Sequence, residues 1–445
     1  MMNIPAQAEK VLKMLNSAGY EAWLVGGSVR DGIMGLPMGD TDITTNALPQ
    51  QTMEVFAGYK VIETGLKHGT VTVVLDHHHT EITTYRTDST YSDGRHPDSV
   101  SFTASLREDC ARRDFTMNAV CYNPDYGTVD YYGGAEDIRN KIIRCVGDPS
   151  ARFREDALRI LRAVRFASVL GFEIEENTKK AVFDCAHLLK NISAERIYTE
   201  LLKLLCGKNV KQVLLDYVDV LGVFMPEILP LKGFDQRNYH HIYDVLEHTA
   251  VAVQAAPAHP QLRLAALLHD FGKPAVFSVD EKGVGHFYGH GEVSYDIAKA
   301  ILRRLKVSNE EYRLVSTLVR YHDTHIEHTE KAVLRRLNRY GPDTLRLLMQ
   351  LKRADNRGQN IQDFDRTAEY DRLERLIARE IEKQSCFSLK QLAVNGTDLM
   401  AIGLPRSSQL GRILNTLLEM VINGDLPNEK EILLAEAGRL YSVGE

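Results

Sequence analysis

Leu24-Val-Gly-Gly-Ser-Val-Arg-Asp31, followed by Gly39-Asp-Thr-Asp-Ile-Thr-Thr-Asn-Ala-Leu-Pro49, is the stretch from which the rest of the chain can be read. Ala22 to Val25 is short and apolar and predicts a strand. Gly26-Gly27-Ser28 turns the chain into a helix beginning near Val29. Glycines there let the backbone approach a bound group, and a helix start offers free N–H donors to phosphate. A second strand is expected to carry Asp40 and Asp42, whose spacing puts both carboxylates on one face. Neighbouring carboxylates repel unless a cation lies between them, and hard oxygen ligands suit Mg²⁺. Either half alone is commonplace as a turn or a solvated strand end. Together, with Arg30-Asp31 between them, they form a nucleotidyl-transfer layout.

The composition fits that reading. A chain of 445 residues with 44% hydrophobic and 26% charged residues predicts a soluble protein of several domains. No apolar run is long enough to span a bilayer and no signal-peptide pattern is present, so the expected location is the cytoplasm, with no membrane partner. The six cysteines form no C-x-x-C pair and predict free thiols. With a net charge of −6, any RNA must meet a local basic patch.

Further along, residues 5–18 predict an amphipathic helix and Gln50 to Gly58 another. Strands are expected at Val61 to Thr64, Thr70 to Leu75 and Thr80 to Arg86, the last two forming a hairpin through the polar turn Asp76-His-His-His79. Thr87 to Arg107 is polar and reads as a mobile loop. Glu108-Asp-Cys-Ala-Arg-Arg-Asp-Phe-Thr-Met-Asn-Ala119 brings adjacent arginines and an Asp suited to a triphosphate and a ribose hydroxyl. In Phe153-Arg-Glu-Asp-Ala-Leu-Arg-Ile-Leu-Arg-Ala-Val-Arg-Phe166, helical spacing places Asp156, Arg159, Arg162 and Arg165 on one face, with Leu158, Leu161 and Val164 toward a core.

These stretches resemble the tRNA nucleotidyltransferase (CCA-adding) and bacterial poly(A) polymerase family. The resemblance covers most of the chain and is most specific over residues 22–203. It implies that Asp40 and Asp42 bind Mg²⁺, with Glu81 as a third carboxylate, and that Gly27 and Arg30 belong to the nucleotide site. By the same resemblance Arg113 and Asp114 hold the sugar and phosphates of the incoming nucleotide. Asp156 and Arg159 select CTP and ATP by their base edges, Arg162 and Arg165 neighbour the nucleotide, and Asp130 to Asp137 is a hinge. Ser193-Ala-Glu-Arg196 matches the next family segment, with Ser193 as a helix cap and Arg196 as a brace.

A second chemistry follows. A helix from Tyr239 to Ala255 carries His248, and an apolar helix over Leu262 to Leu268 ends in His269-Asp270. Charge at the end of an apolar helix calls for a partner or a metal. His290, His322 and Asp355 come later. His248, His269, Asp270 and Asp355 are similar to the metal signature of the HD phosphohydrolase superfamily, and His290 and His322 to the extra histidines of its two-metal members. Such a ligand set favours Mn²⁺, Fe²⁺, Ni²⁺ or Co²⁺. His240, His241, His286, His325 and His328 receive no role beyond the surface or a supporting position. The tail from Ser388 predicts helices with a loop at Gly403. Pro405-Arg-Ser-Ser-Gln-Leu-Gly411 departs from the Pro-Gly-Pro turn usual in HD-containing members.

The expected fold is α+β: a small mixed-sheet head over residues 1–147, a helical neck over 148–225, an all-α HD domain over 226–360 and a helical tail over 361–445 that binds tRNA. The expected reaction is transfer of CMP and AMP from CTP and ATP to a tRNA 3′ end, with metal-dependent phosphohydrolysis at the HD site. The alternatives are an A-adding or CC-adding enzyme, a poly(A) polymerase, or an HD phosphohydrolase whose head merely binds nucleotide or RNA. The full-length loop over residues 87–107 weighs against the CC-adding form, in which it is shortened. Composition gives no oligomeric state.

Overall fold

Helix α1 (Ala6–Ser17) buries Ala8, Val11, Leu12 and Leu15, the i, i+3, i+4, i+7 stripe of a helix lying on a sheet. The computed structural model describes residues 2–76, 78–88 and 100–443. Strand β1 (Ala22–Val25) is buried along its whole length. Gly26 then turns the chain at φ 78°, where a side chain would be strained, and α2 (Gly27–Ile33) begins two residues earlier than the expected start at Val29. Strand β2 (Asp42–Thr45) and helix α3 (Pro49–Val55) follow, then β3 (Lys60–Ile62), β4 (Thr70–Leu75) and β5 (His78–Thr84). The expected β4–β5 hairpin is present, with strand structure already at His78, while His77 lies outside the described residues.

Asp40 corrects the sequence reading. It sits in a bend before β2, so strand alternation does not place it beside Asp42. The expected loop over residues 87–107 is also corrected in part. Strands β6 (Arg86–Asp88) and β7 (Val100–Phe102) pair antiparallel, and Leu106 opens α4 (Leu106–Ala111), capped by Ser105. Residues 89–99 of that loop lie outside the described residues. Strands β8 (Cys121–Asn123) and β9 (Gly127–Val129) complete a seven-stranded sheet in the order β3-β4-β5-β2-β1-β8-β9. It is mixed: β2 runs parallel to β5, and β1 is antiparallel to both β2 and β8. All six cysteines are free thiols.

After α5 (Gly134–Asn140) the same unit becomes helical, through α6 (Pro149–Glu155), α7 (Leu158–Leu170), α8 (Glu176–Asp184), α9 (Ala194–Leu205), α10 (Val210–Asp216) and α11 (Val218–Leu221). Here the expected continuous helix over residues 153–166 is broken. Asp156 is extended, at φ −139° and ψ 102°, between α6 and α7. Its carboxylate accepts from the Leu158 N–H at 3.0 Å, as a short polar side chain does when it competes with helix bonding. Asp156 therefore does not share a helix face with Arg159, Arg162 and Arg165.

The chain folds as two compact units. The first runs to Leu229 and takes in Arg304–Lys306; the second is Pro230–Arg303 and Val307 onward. The second unit contains α12 (Val245–Ala255), α13 (Pro260–Leu268), α14 (Lys273–Val276), α15 (His290–Arg304, its last residue in the first unit), α16 (Asn309–Tyr321), α17 (Glu330–Tyr340) and α18 (Pro342–Arg357). Helix α12 starts at Val245, capped by Asp244, and not at the expected Tyr239. Helix α13 is buried all round from Leu262 to Leu268 because α12, α16 and α18 enclose it. Five further helices, α19 (Ile361–Phe364), α20 (Thr367–Glu382), α21 (Gly396–Ala401), α22 (Ser408–Asn423) and α23 (Lys430–Val443), end the unit. The last three share a core built on Leu399, Leu417, Leu418 and Leu433.

Two glycines give opposite predictions. A Cβ on Gly207 would lie 2.1 Å from Ser168 Oγ and 2.5 Å from the Ser168 carbonyl carbon, so Gly207→Ala should lower stability by about 2 kcal/mol. Gly411, inside α22, has open space around it, and Gly411→Ala should raise stability by about 0.5–1 kcal/mol. Thermal unfolding of the two variants checks both signs.

Candidate active site

In the first unit the site starts from strand register. Asp42 pairs with Val25 on β1 and with Glu81 on β5. Paired residues of adjacent strands point to the same face, so Asp42 and Glu81 stand side by side. Gly26 lies against both Asp42 and Arg113: a Cβ there would be in ordinary contact, 3.5 Å from Asp42 Oδ2 and 4.0 Å from Arg113 Nη1. Burial, then the charges of Glu81 and Asp40, push the Asp42 carboxyl up to about 6, against the pull of Arg113. Glu81 and Asp40 thus act on Asp42 through charge, without the three carboxylates' oxygens all closing to within 4.8 Å. Crowded carboxylates of this kind fit a hard divalent cation.

Around them lies a network of arginines. Asp109, fully buried on α4, accepts from Arg112 at 2.7 Å, Arg113 at 3.1 Å and Thr44 Oγ1 at 3.0 Å. Burial opposes its ionisation, but Arg113 and Arg112 overcome that and hold its carboxyl below the usual range. Asp114 accepts from Arg162 at 2.8 and 2.6 Å and from Asn118 Nδ2 at 3.1 Å. Burial works against this charge too, and Arg162 brings the carboxyl down to about 2. Asn118 also accepts from Arg30 at 3.1 Å, so one amide joins Arg30 to Asp114. The Phe166 ring carries the guanidiniums of Arg165, Arg30 and Arg162 at 3.9, 5.4 and 5.5 Å from its centre. Arg165 is paired with Glu200 at 2.7 Å, and burial lowers its own value to about 10. Gly27 is the first residue of α2, beneath the Arg30 head group.

The sequence reading missed Asp109 and Asn118. The signal for Asp109 was its i+3 and i+4 spacing to two arginines; Asn118 had only its i−4 spacing to Asp114, since Arg30 is 88 positions away. The expected Asp156–Arg159 pair is corrected as well. Asp156 accepts from Arg196 at 2.7 and 3.3 Å. Arg159 pairs with Glu155 at 2.6 Å and donates to the Arg112 carbonyl at 2.9 Å. The break after α6 turns the two side chains to different partners. Arg196, expected only as a brace of the neck, pairs with Asp156, while Ser193 sits at the cap position of α9 without a side-chain capping bond. Asp130 accepts from the N–H groups of Tyr132, Gly134 and Ala135, which fixes the turn before α5.

In the second unit, His248, His269, Asp270 and Asp355 each bring a ligand atom within 4.8 Å of the others, and Asp270, His290 and His322 form a second such group. Asp270 belongs to both. The Nε2 atoms of His248 and His269 are 3.1 Å from Asp270 Oδ2, and that of His290 is 3.4 Å from Asp270 Oδ1. All four histidines donate from Nδ1 to a backbone carbonyl: His248 to Gly358 at 2.8 Å, His269 to Ala266 at 2.7 Å, His290 to Phe287 at 2.9 Å and His322 to Val319 at 2.7 Å. That fixes the tautomer and leaves each Nε2 lone pair facing the group, the arrangement that orients metal-ligating imidazoles. Lys273, 2.7 Å from Asp270 Oδ2, is held by Gln236 at 2.8 Å. A cavity of about 180 Å³ adjoins the cluster, lined by His241, His325, Lys352 and Arg366 together with His322 and Asp355. His240 lines it too, whereas His286 pairs with Asp280 and His328 with Glu369.

The geometry agrees with what the chain is similar to. Residues 22–144 match the "Poly A polymerase head domain" family, residues 171–231 the "Probable RNA and SrmB-binding site of polymerase A" and residues 290–437 the tRNA nucleotidyltransferase domain 2 family. A CCA-adding enzyme of Ligilactobacillus salivarius is 34% identical over 98% of both chains. One of Geobacillus thermodenitrificans is 36% identical over 96% of this chain and 95% of its own. The crystal structure of the Bacillus stearothermophilus CCA-adding enzyme in complex with CTP superposes with a TM-score of 0.74 at 31% identity, over 99% of each chain.

Asp114 yields a pH prediction. Its value in the folded chain, about 2, lies below the usual 3.8, so its contribution is present above about pH 4 and is lost as pH falls through about 2. Urea unfolding of wild type and Asp114→Asn should show a stability gap that narrows by about 2 kcal/mol as pH drops from about 5 toward about 2. A gap independent of pH would contradict the ion pair.

Proposed function

This chain belongs to the CCA-adding enzyme family, and we propose that it completes tRNA 3′ ends by adding C and A from CTP and ATP without a nucleic-acid template, releasing pyrophosphate. The observation that carries this reading is the register of Asp42 against Glu81, with Arg113 beside Asp42 over Gly26. Asp40, Asp42 and Glu81 are the residues to hold Mg²⁺, which when bound eases deprotonation of the primer 3′ hydroxyl and neutralises the leaving pyrophosphate. Arg113, fixed by Asp109, and the arginines around Phe166 hold the triphosphate in line. Asp114, kept ionised by Arg162, accepts a ribose hydroxyl. Asp156, aimed by Arg196, and Arg159, at the other side of the α6–α7 break, present acceptor and donor to the base edge. Catalysis on this account is positioning and charge neutralisation. The tRNA stem is held by shape and phosphate contacts, since an A-form groove offers little sequence code.

Residues 1–147 serve as the catalytic head, 148–225 as the nucleotide-selecting neck, 226–360 as the HD domain and 361–445 as the tRNA-binding tail. A cytoplasmic location fits this role, and no helix among the described residues is long and apolar enough to cross a membrane. A second activity is proposed from a separate observation, the two ligand groups that share Asp270. Their nitrogen-rich donors suit Mn²⁺, Fe²⁺, Ni²⁺ or Co²⁺, and a phosphoester is the substrate class such a site hydrolyses.

Purified protein with Mg²⁺ and tRNA transcripts ending at the discriminator base, at C or at CC should complete CCA on all three and stop. Addition only to the CC-ended transcript would identify an A-adding enzyme, a halt after two C a CC-adding one, and long A tails a poly(A) polymerase. Asp42→Ala should abolish addition and leave Mn²⁺- or Ni²⁺-dependent phosphoester hydrolysis intact, while His269→Ala should do the reverse. Addition near the wild-type rate in Asp42→Ala would remove the metal assignment in the head.

A further inference from the structure

The first unit carries a cleft lined by none of the residues assigned above to nucleotidyl transfer. It has a volume of about 700 Å³ and is lined by Asn16 from α1, Glu21 and Trp23 on and before β1, Arg107 from α4, and Tyr126 and Tyr131. Trp23 is opposite Thr44 in the β1–β2 register, and Val25 is opposite Asp42. The cleft therefore lies about 7 Å along β1 from the carboxylates. Arg107 near the start of α4 borders the cleft, and Arg113 just beyond the end of α4 borders Asp42.

Three features define what the cleft would hold. Two of its rings stand in water, Tyr126 at 68% and Tyr131 at 42% exposed, while Trp23, at 9%, forms the floor. Trp23 and Tyr126 have ring centres 5.8 Å apart. The Arg107 guanidinium lies 5.9 Å from the Tyr131 ring centre and makes no ion pair among the described residues. Finally, the Trp23 indole N–H and both amide atoms of Asn16 are enclosed without a hydrogen-bond partner. Such groups are costly to bury unpaired. An aliphatic ligand would leave them unsatisfied, and a bare anion would leave the rings uncovered and meet Glu21. A planar heteroaromatic answers all three: it stacks on the rings, offers a donor–acceptor edge to Asn16, and carries a phosphate toward Arg107.

We propose that this cleft is a nucleobase-binding site, separate from the carboxylate site, that stacks a base on the exposed rings of Tyr126 and Tyr131, with Trp23 packed behind Tyr126. The base comes either from an unpaired nucleotide of an RNA strand or from a free nucleotide, and the test separates the two.

Trp23 is the only tryptophan in the chain, so its fluorescence reports this cleft directly and needs no turnover. The full-length protein is titrated with hexauridylate, with an abasic oligomer of equal phosphate number, and with UMP. The expected result is quenching by hexauridylate and none by the abasic strand, with the Kd rising about tenfold in Tyr126→Ala and in Asn16→Ala. Tyr126 is exposed, so its truncation leaves the fold intact, and the variant should keep the wild-type KM for CTP. Quenching by UMP at equal nucleotide concentration assigns the site to free nucleotides, and quenching by the strand alone assigns it to RNA. Equal quenching by the abasic strand, no quenching by either base-bearing ligand, or an unchanged Kd in Tyr126→Ala overturns the proposal.

Discussion

Asp109 has no exposure to solvent, yet it is charged, and two guanidiniums and a threonine hydroxyl make that tolerable. Removing one side of such a pair strands a buried charge, at a cost of about 3–5 kcal/mol. This single carboxylate ties α4 to β2 through Thr44 and fixes Arg113 beside Asp42. The position of the cation nearest the head's carboxylates is therefore set by a residue that faces the core. The same logic recurs one step away, where Asp114 is locked by Arg162 and Asn118 and passes its alignment on to Arg30. The site is a chain of paired charges in which each member orients the next.

The two units gather their polar clusters by different means. In the first, register in a mixed sheet sets Glu81 beside Asp42, and oxygen donors that repel one another suit a hard cation. In the second, helix ends deliver imidazoles whose Nδ1 atoms are already spent on carbonyls. The closing turn of α13 matters most there. A helix buried on every side carries His269-Asp270 into the interior at its end, where only mutual pairing, Lys273 or a metal can balance the charge.

The two misplaced aspartates went astray for one physical reason. Period-two and 3.6-residue spacing assume that an element runs on unbroken. Asp40 and Asp156 both fall just outside the element that was assigned to them, and Asp156 accepts from the Leu158 N–H, as short acidic side chains do where they end elements. The α6–α7 break then reassigns partners, so that Asp156 meets Arg196 from a distant helix. His240, His241 and His325 had no pattern to mark them, and it is the folded second unit that lines a cavity with them.

The sequence by itself determined the kinds of chemistry present: a glycine turn followed by two aspartates, a run of arginines in the neck, and a His-Asp pair closing an apolar helix. Those signals are local, since they depend on residue type and on spacing within one element. Tertiary structure alone decided the adjacency of Asp42 and Glu81, the Arg30–Asn118–Asp114–Arg162 chain, the sharing of Asp270 between two ligand groups, and the aromatic cleft around Trp23. Each of those depends on which strands pair and which helix ends converge. Most of these contacts join residues tens of positions apart, and the free energy that selects them comes from packing and charge pairing across the whole unit.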